Sequence, residues 1–315
     1  MLIKRIFNYT LVYLFLLFVS FSSLQADTSI YGRLDLAISN IETIDKGSST
    51  EIKSLASRVG FKGSQIFDNG LAVIYQYELE VDAIDWDPAF KQRNSFIGLK
   101  GAFGKFIIGM HDTPVKNAAR NIDLFNDTSA DIKKILWGEN RSKKIVQWSS
   151  PKVRGFTFNL MAIFEKDEAL SLSLDWNGKF DGNKARFSLA YDSEVPQKGY
   201  FFDTTRISAA IPLGRLLTFG VIWQESEDTS GKFDDDGYIL SLKAKMSEKA
   251  AMKLMYGESD MIKSGSEVMA LGFDYKIIKP FKIYINYIEK DFANSLKASE
   301  ELMFGFQYKF NFGLF

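Results

Sequence analysis

The sequence predicts an all-β fold, a 16-stranded antiparallel transmembrane β-barrel, and three observations predict it. Sixteen short segments alternate apolar and polar residues. The chain is rich in aromatics, with 28 Phe, 13 Tyr and 5 Trp, and holds only 6 Pro. Its first residues read as an export leader, and no apolar run after residue 27 is long enough for a spanning helix, which needs about 20 residues.

The leader comes first in order. Lys4 and Arg5 form a short positive region, Leu11 to Phe21 is uncharged and apolar, and Ser22, Ser23 and Ala26 follow. Residues 1–26 are therefore expected to be a signal peptide, and residues 27–315 a single barrel domain. Loss of Lys4 and Arg5 leaves 37 basic against 39 acidic side chains, a formal charge of −2. Such a balance offers no field to gather nucleic acid. The chain has no Cys, so thiolate metal sites and Cys nucleophiles are excluded.

The alternation carries most of the weight. From Glu301 the even positions read Leu302, Phe304, Phe306, Tyr308 and Phe310, against Met303, Gly305, Gln307 and Lys309. Met269, Leu271, Phe273 and Tyr275 stand against Ala270, Gly272, Asp274 and Lys276. Tyr238, Leu240, Leu242 and Ala244 stand against Ile239, Ser241, Lys243 and Lys245. Successive side chains of a strand point to opposite faces, so each segment has one apolar and one wet face. The strands are expected near 28–40, 54–65, 71–81, 92–100, 105–111, 141–150, 155–165, 169–177, 184–192, 203–211, 215–225, 237–246, 250–258, 267–277, 281–290 and 300–312. Short turns such as 67–70, 101–104 and 212–214 alternate with mostly longer, more polar connections. That asymmetry suits an outer-membrane barrel. A soluble β-sandwich also alternates, but strand number, aromatic content and the terminal strand favour the barrel.

Several segments resemble the general Gram-negative porins. Ser29-Ile30-Tyr31-Gly32-Arg33-Leu34-Asp35 is similar to their opening strand, and Ser57-Arg58-Val59-Gly60-Phe61-Lys62-Gly63 to the second. Arg93 through Gly101 is similar to the fourth, and Arg141 through Pro151 with Gly155-Phe156 to the sixth and its turn. The chain closes on Phe315, as these porins close on phenylalanine. The resemblance implies a homotrimer of sixteen-stranded barrels with a third loop folded into each channel. It also makes Phe315 a signal for barrel-assembly machinery, and outer-membrane lipid and lipopolysaccharide the surroundings.

The longest connection runs from His111 to Asn140. Loops beyond about fifteen residues are usually functional or disordered, and this one holds Ile122, Leu124, Phe125, Ile132, Ile135, Leu136 and Trp137. It has enough apolar surface to pack, and Asp131 to Leu136 suits one helical turn. Two readings stand: a loop folded inward to narrow the lumen, or a surface cap or trimer contact. Arg33, Arg58, Arg93 and Arg141 are expected in the inward phase, Arg93 on the face of Ser95. Opposed by Asp112, Asp123 and Asp127, they would set a field across the pore. The alternative is that each arginine only braces the wall. The inward set is richer in Lys and Arg than in Asp and Glu, which leans toward weak anion preference.

Other chemistry has little support. His111 is the only histidine, and no Gly-x-Ser-x-Gly elbow or phosphate-cradling glycine loop is present, so no enzyme and no cofactor are expected. Asp234-Asp235-Asp236-Gly237 lacks the spacing of a calcium loop and reads as a solvated loop. The functional expectation is a general diffusion porin, passing small hydrophilic solutes and ions through water. A solute-selective porin and a structural or adhesive barrel with a closed lumen are the rivals.

Overall fold

The computed structural model describes residues 26–85, 90–165, 168–261, 265–291 and 298–314. The expected leader lies outside these residues, save Ala26, and so does Phe315. Its strands are β1 Ala26–Thr43, β2 Gly47–Ser54, β3 Arg58–Ile66, β4 Ala72–Glu80, β5 Lys91–Gln92, β6 Ser95–Gly101, β7 Gly104–Asp112, β8 Arg141–Ser149 and β9 Phe156–Phe164. The remainder are β10 Glu168–Phe180, β11 Asn183–Gln197, β12 Tyr200–Leu213, β13 Leu217–Asp228, β14 Asp234–Lys245, β15 Ala250–Ser259, β16 Ser266–Ile278, β17 Phe281–Asp291 and β18 Ser299–Gly313.

Eighteen strand segments make sixteen wall strands. The pieces β2 and β3 both pair with β1, and β5 and β6 both pair with β4. Each wall strand runs antiparallel to the next, and β18 returns to β1 from Ser29↔Gly313 to Thr43↔Ser299, which closes the barrel. Closure pairs the wall strands with one another all round, the condition for crossing hydrocarbon with strands. At this seam the buried carboxylate of Asp35 accepts from Gln307 Nε2 at 2.5 Å and from the Tyr284 hydroxyl at 2.8 Å.

The sixteen expected strands are all present, and most are longer than the alternation indicates. The excess lies mainly toward the long-loop ends, where polar residues keep pairing after the apolar phase stops. The clearest case is β2, eight residues of Gly, Ser, Thr, Glu, Ile and Lys that continue the hairpin with β1.

The faces follow the period. Ile30, Leu34, Ile38, Leu240, Phe273, Phe304 and Phe306 are exposed on the outer face, where lipid replaces water. The alternate positions hold Ser39, Asp35, Ser171, Ser188, Arg206 and Gln224, all buried within the barrel.

Candidate functional site

Residues 113–140 are the element on which the site is built. Their first turn is a short helix, α1, Pro114–Ala118. Thr113 caps it by accepting from Lys116 N, and Pro114 occupies the first helical position, where its missing N–H costs nothing. A second turn, the 3-10 helix Ile132–Lys134, is capped by Asp131 through Lys133 N, within the span expected to turn.

This loop is amphipathic, and its apolar side is seated on one half of the wall. Ile122, Phe125, Ile132, Ile135 and Leu136 are buried with Ala210, Ile222, Ile239, Met255, Val268, Ala270 and Ile288 of β12–β17. Each such side chain stabilises its seat by about 1.5–3 kcal/mol. Glycines of four adjacent strands receive them. A Cβ on Gly220 would meet Ile122 at 2.9 Å, on Gly237 Leu136 at 2.8 Å, on Gly257 Ile135 at 2.5 Å and on Gly272 Phe125 at 2.9 Å.

Polar contacts fix the loop's stems and tip. Arg206 has no exposed side-chain surface. It donates to Glu139 Oε1 at 2.5 Å, to the carbonyls of Val115 and Trp137 at 3.0 and 2.9 Å, and to Gln224 Oε1 at 2.7 Å. It thereby ties the entering and leaving stems to one point on β12. Ser208 donates to the Ala118 carbonyl at 2.8 Å, Ser259 donates to the Ile135 carbonyl, and Ser129 donates to Glu301.

The loop's charged edge meets the other half of the wall. Arg33 lies 2.6 Å from Asp127 and also donates to the carbonyls of Leu55 and Ala56 at 2.7 and 3.1 Å, in the break between β2 and β3. Arg58 stands between Glu78 at 3.9 Å and Asp127 at 3.8 Å. Arg93 pairs with Glu78 at 2.7 Å and Glu80 at 2.6 Å. Arg141 lies 3.0 Å from Asp112 and donates to Asn94 Oδ1 at 2.8 Å. The break between β5 and β6 matters here. Strict alternation from the exposed Ile97 and Leu99 would turn Arg93 outward, and the irregular Arg93–Asn94 step aims it at the β4 carboxylates instead.

Asp112 and Asp127 thus join the arginines, and Asp123 does not. Asp123 accepts from Phe125 N at 3.1 Å and from Asn126 Nδ2 at 3.4 Å, within the loop. Its enclosure, then the charges of Asp131 and Glu139, push its carboxyl well above the usual carboxylate range. Asp127 behaves in the opposite way. Burial alone would raise it, but Arg33, followed by Arg58 and Arg93, holds it below the ordinary value.

Between loop edge and arginines lies a cavity of about 460 Å³. Arg58, Arg93, Arg141, Lys116 and Lys133 line it with Glu80, Asp112, Asp127, Asp131 and Glu139. Five cations face five carboxylates, with the arginines on the wall and most of the loop's own charges opposite. Arg206, Glu139, Lys116 and the glycine track are the participants that sequence reasoning missed. The Thr113-Pro114 cap signal and the apolar residues Ile222, Ile239, Met255, Val268 and Ile288 in an otherwise wet phase were the available clues.

A closed sixteen-strand barrel with an apolar outer face, a polar inner face and a charged cavity defines an outer-membrane channel protein. The chain belongs to the Gram-negative porin family, whose model it matches over residues 14–313. It is 30% identical to a major outer membrane protein P.IB of Neisseria sicca over 146 residues, a match spanning 42% of this chain and 41% of that protein. It is 22% identical to a P.IB protein of Neisseria gonorrhoeae over 309 residues, 91% of this chain and 85% of that one. Among solved structures it is similar to an anion-selective porin from Comamonas acidovorans, at 16% identity and a TM-score of 0.75, covering 91% of this chain and 100% of that chain.

Proposed function

We propose that this outer-membrane porin passes small hydrophilic solutes and ions passively, through a water-filled lumen that the 113–140 loop narrows against the arginine wall. One observation carries the reading. The loop buries its apolar side on β12–β17 and turns Asp127, Asp131 and Lys133 toward Arg58 and Arg93 across an open, polar cavity. A loop bonded both to β1 through Arg33 and to β12 and β15 reaches distant parts of the ring, which suits a path through the interior.

The chemistry follows from the charges. Arg58, Arg93 and Arg141 on the wall and Asp127, Asp131 and Glu139 on the loop set up a transverse field, which Glu80 and Asp112 on the wall and Lys116 and Lys133 on the loop partly offset. A polar solute aligns its dipole in that field, while an apolar one must displace ordered water without compensation. Equal numbers of cations and anions make the field strong and the net charge small, so the neck discriminates by polarity and size more than by ion sign.

Residues 1–26 would direct export and be removed, and Phe315 would be read by assembly machinery. Three barrels would associate, with lipid and lipopolysaccharide around them. The test is liposome swelling with neutral sugars of increasing size. Rates that fall steeply with size support the reading, and vesicles impermeable to the smallest sugar would refute it.

A further inference from the structure

A second polar cavity, about 350 Å³, lies on the other side of α1 from the first. The loop residues Pro114, Asn117, Arg120 and Asn121 form one wall, whereas Lys116 on the opposite side of the same helix lines the first cavity. His111 lines it at the loop end of β7, and its other strand residues sit nearer the short turns: Lys105 follows the turn at 102–103, Asn177 precedes the one at 181–182, and Arg186 follows it. The two cavities therefore lie in series along the lumen, with the loop between them.

Their charges differ. The first cavity is balanced. The second is lined by Lys105, Arg120 and Arg186 against the single carboxylate of Asp175, a surplus of two positive charges with His111 counted neutral. Asp175 is already committed, lying 3.1 Å from Arg186 and accepting from Ser188 at 2.5 Å and Asn159 at 2.9 Å. Lys105 and Arg120 form no ion pair among the described residues, and Arg120 donates only to the neutral Asn117 amide, at 2.8 Å. Amide side chains complete the lining, among them Asn121, Gln147 and Asn177. Each offers both donors and an acceptor.

We propose that this turn-side chamber binds small doubly charged oxyanions, with Lys105 and Arg120 supplying the charge and the amide side chains binding the remaining oxygens. The inference rests on the chain being an open channel. Two cations without ion-pair partners facing one aqueous chamber repel each other, and a dianion between them removes that repulsion. Hydrogen bonds to charged groups are worth about 1.5–3 kcal/mol each, enough for saturable occupancy of a site that a solute must still leave. A solute arriving from the loop side would pass the balanced neck and then meet this chamber.

The experiment is single-channel recording of the folded full barrel in chloride at about 0.1 M salt, where screening extends about 10 Å. Inorganic phosphate, mainly a dianion at about pH 8, is added to each side in turn. The expected result is a saturable fall in chloride current at lower phosphate from one side than from the other. Lys105→Gln and Arg120→Gln should each weaken it by about tenfold while leaving the chloride conductance within a factor of about two. Arg120→Lys should keep most of it. A phosphate effect that is linear, equal from both sides and unchanged in the variants overturns the site while the chloride current still upholds the channel. Absence of any chloride current would overturn the channel reading and the site with it.

Discussion

The guanidinium of Arg33 and the carboxylate of Asp127 meet at 2.6 Å across 94 residues of sequence, joining the first strand to the tip of the long loop. This contact sets a pH dependence. Folding lowers the Asp127 pKa, because the arginine charges outweigh the cost of burial. Docking is then fully present above the ordinary carboxylate value and is lost as pH falls through the lowered one. Conductance governed by this contact should stay flat from neutral pH down through the ordinary range and become noisy only below it. Asp127→Asn should be noisy at all pH values. A wild-type change centred at or above the ordinary carboxylate pKa, and absent in Asp127→Asn, would contradict the assignment.

The loop's anchor should be costly to remove. Arg206→Met leaves the Glu139 carboxylate buried without its partner and removes the side-chain donor to the Val115 carbonyl, while the Trp137 carbonyl keeps only the Gln224 amide at 3.0 Å. Breaking one side of a buried pair costs about 3–5 kcal/mol. Because the barrel closes without this loop, the loss should appear as larger and more variable single-channel currents with normal amounts of folded protein. Adding Glu139→Gln should recover part of the quiet state. Unaltered currents in Arg206→Met would show that the stems are held elsewhere.

The glycine track makes a similar prediction from packing. Gly257→Val places its Cβ 2.5 Å from both Ile135 and Ile239, and Gly272→Val presses on Phe125. Overpacking costs about 1–3 kcal/mol, here relieved by lifting the loop. Both variants should widen the size cutoff for neutral sugars, and Gly313→Val, at the end of β18 with open space around it, should not widen it. Equal cutoffs in all three would mean that the loop does not limit passage.

The outer face tests the membrane assignment. Leu240→Arg and Phe273→Arg put charge on exposed apolar positions and should destabilise the barrel by about 2–4 kcal/mol near the bilayer midplane. Lys243→Gln, in the opposite phase, should cost little. Urea titration of barrels folded in vesicles gives the three values, and equal losses would contradict this assignment of faces.

The barrel itself was legible because a strand writes its two environments at a period of two, and sixteen segments repeat that signature. The interruptions were not legible. Residues 55–57 and 93–94 look like continuous strand, and the second break alone turns Arg93 toward Glu78 and Glu80. In the site, Arg33, Arg58, Arg93 and Arg141 were all expected on the inward face, Arg93 without the break that places it there. Arg206 was not singled out, since Glu139 and the two carbonyls it bonds lie on a loop far from it in sequence. Asp123 and Asp127 are four residues apart, yet only Asp127 reaches an arginine, while Asp123 is taken up by Phe125 N and Asn126 within the loop. Local patterns fix which face a residue occupies; they do not fix which far side chain waits there.

A narrowest point set jointly by the arginine wall and the loop edge can be read by single-channel recording in a salt gradient. Arg58→Ser with Arg93→Ser removes two charges that face Asp127, Glu78 and Glu80. Conductance should rise, bulky neutral solutes should pass faster, and the reversal potential should shift toward cations. The shift should be muted at 1 M salt, where the screening length falls to about 3 Å. Deleting residues 117–132 should raise conductance further, since it takes away the obstruction as well as its charge. Unchanged conductance, size cutoff and reversal potential in the folded double variant would contradict the claim and leave Arg58 and Arg93 as braces of the wall.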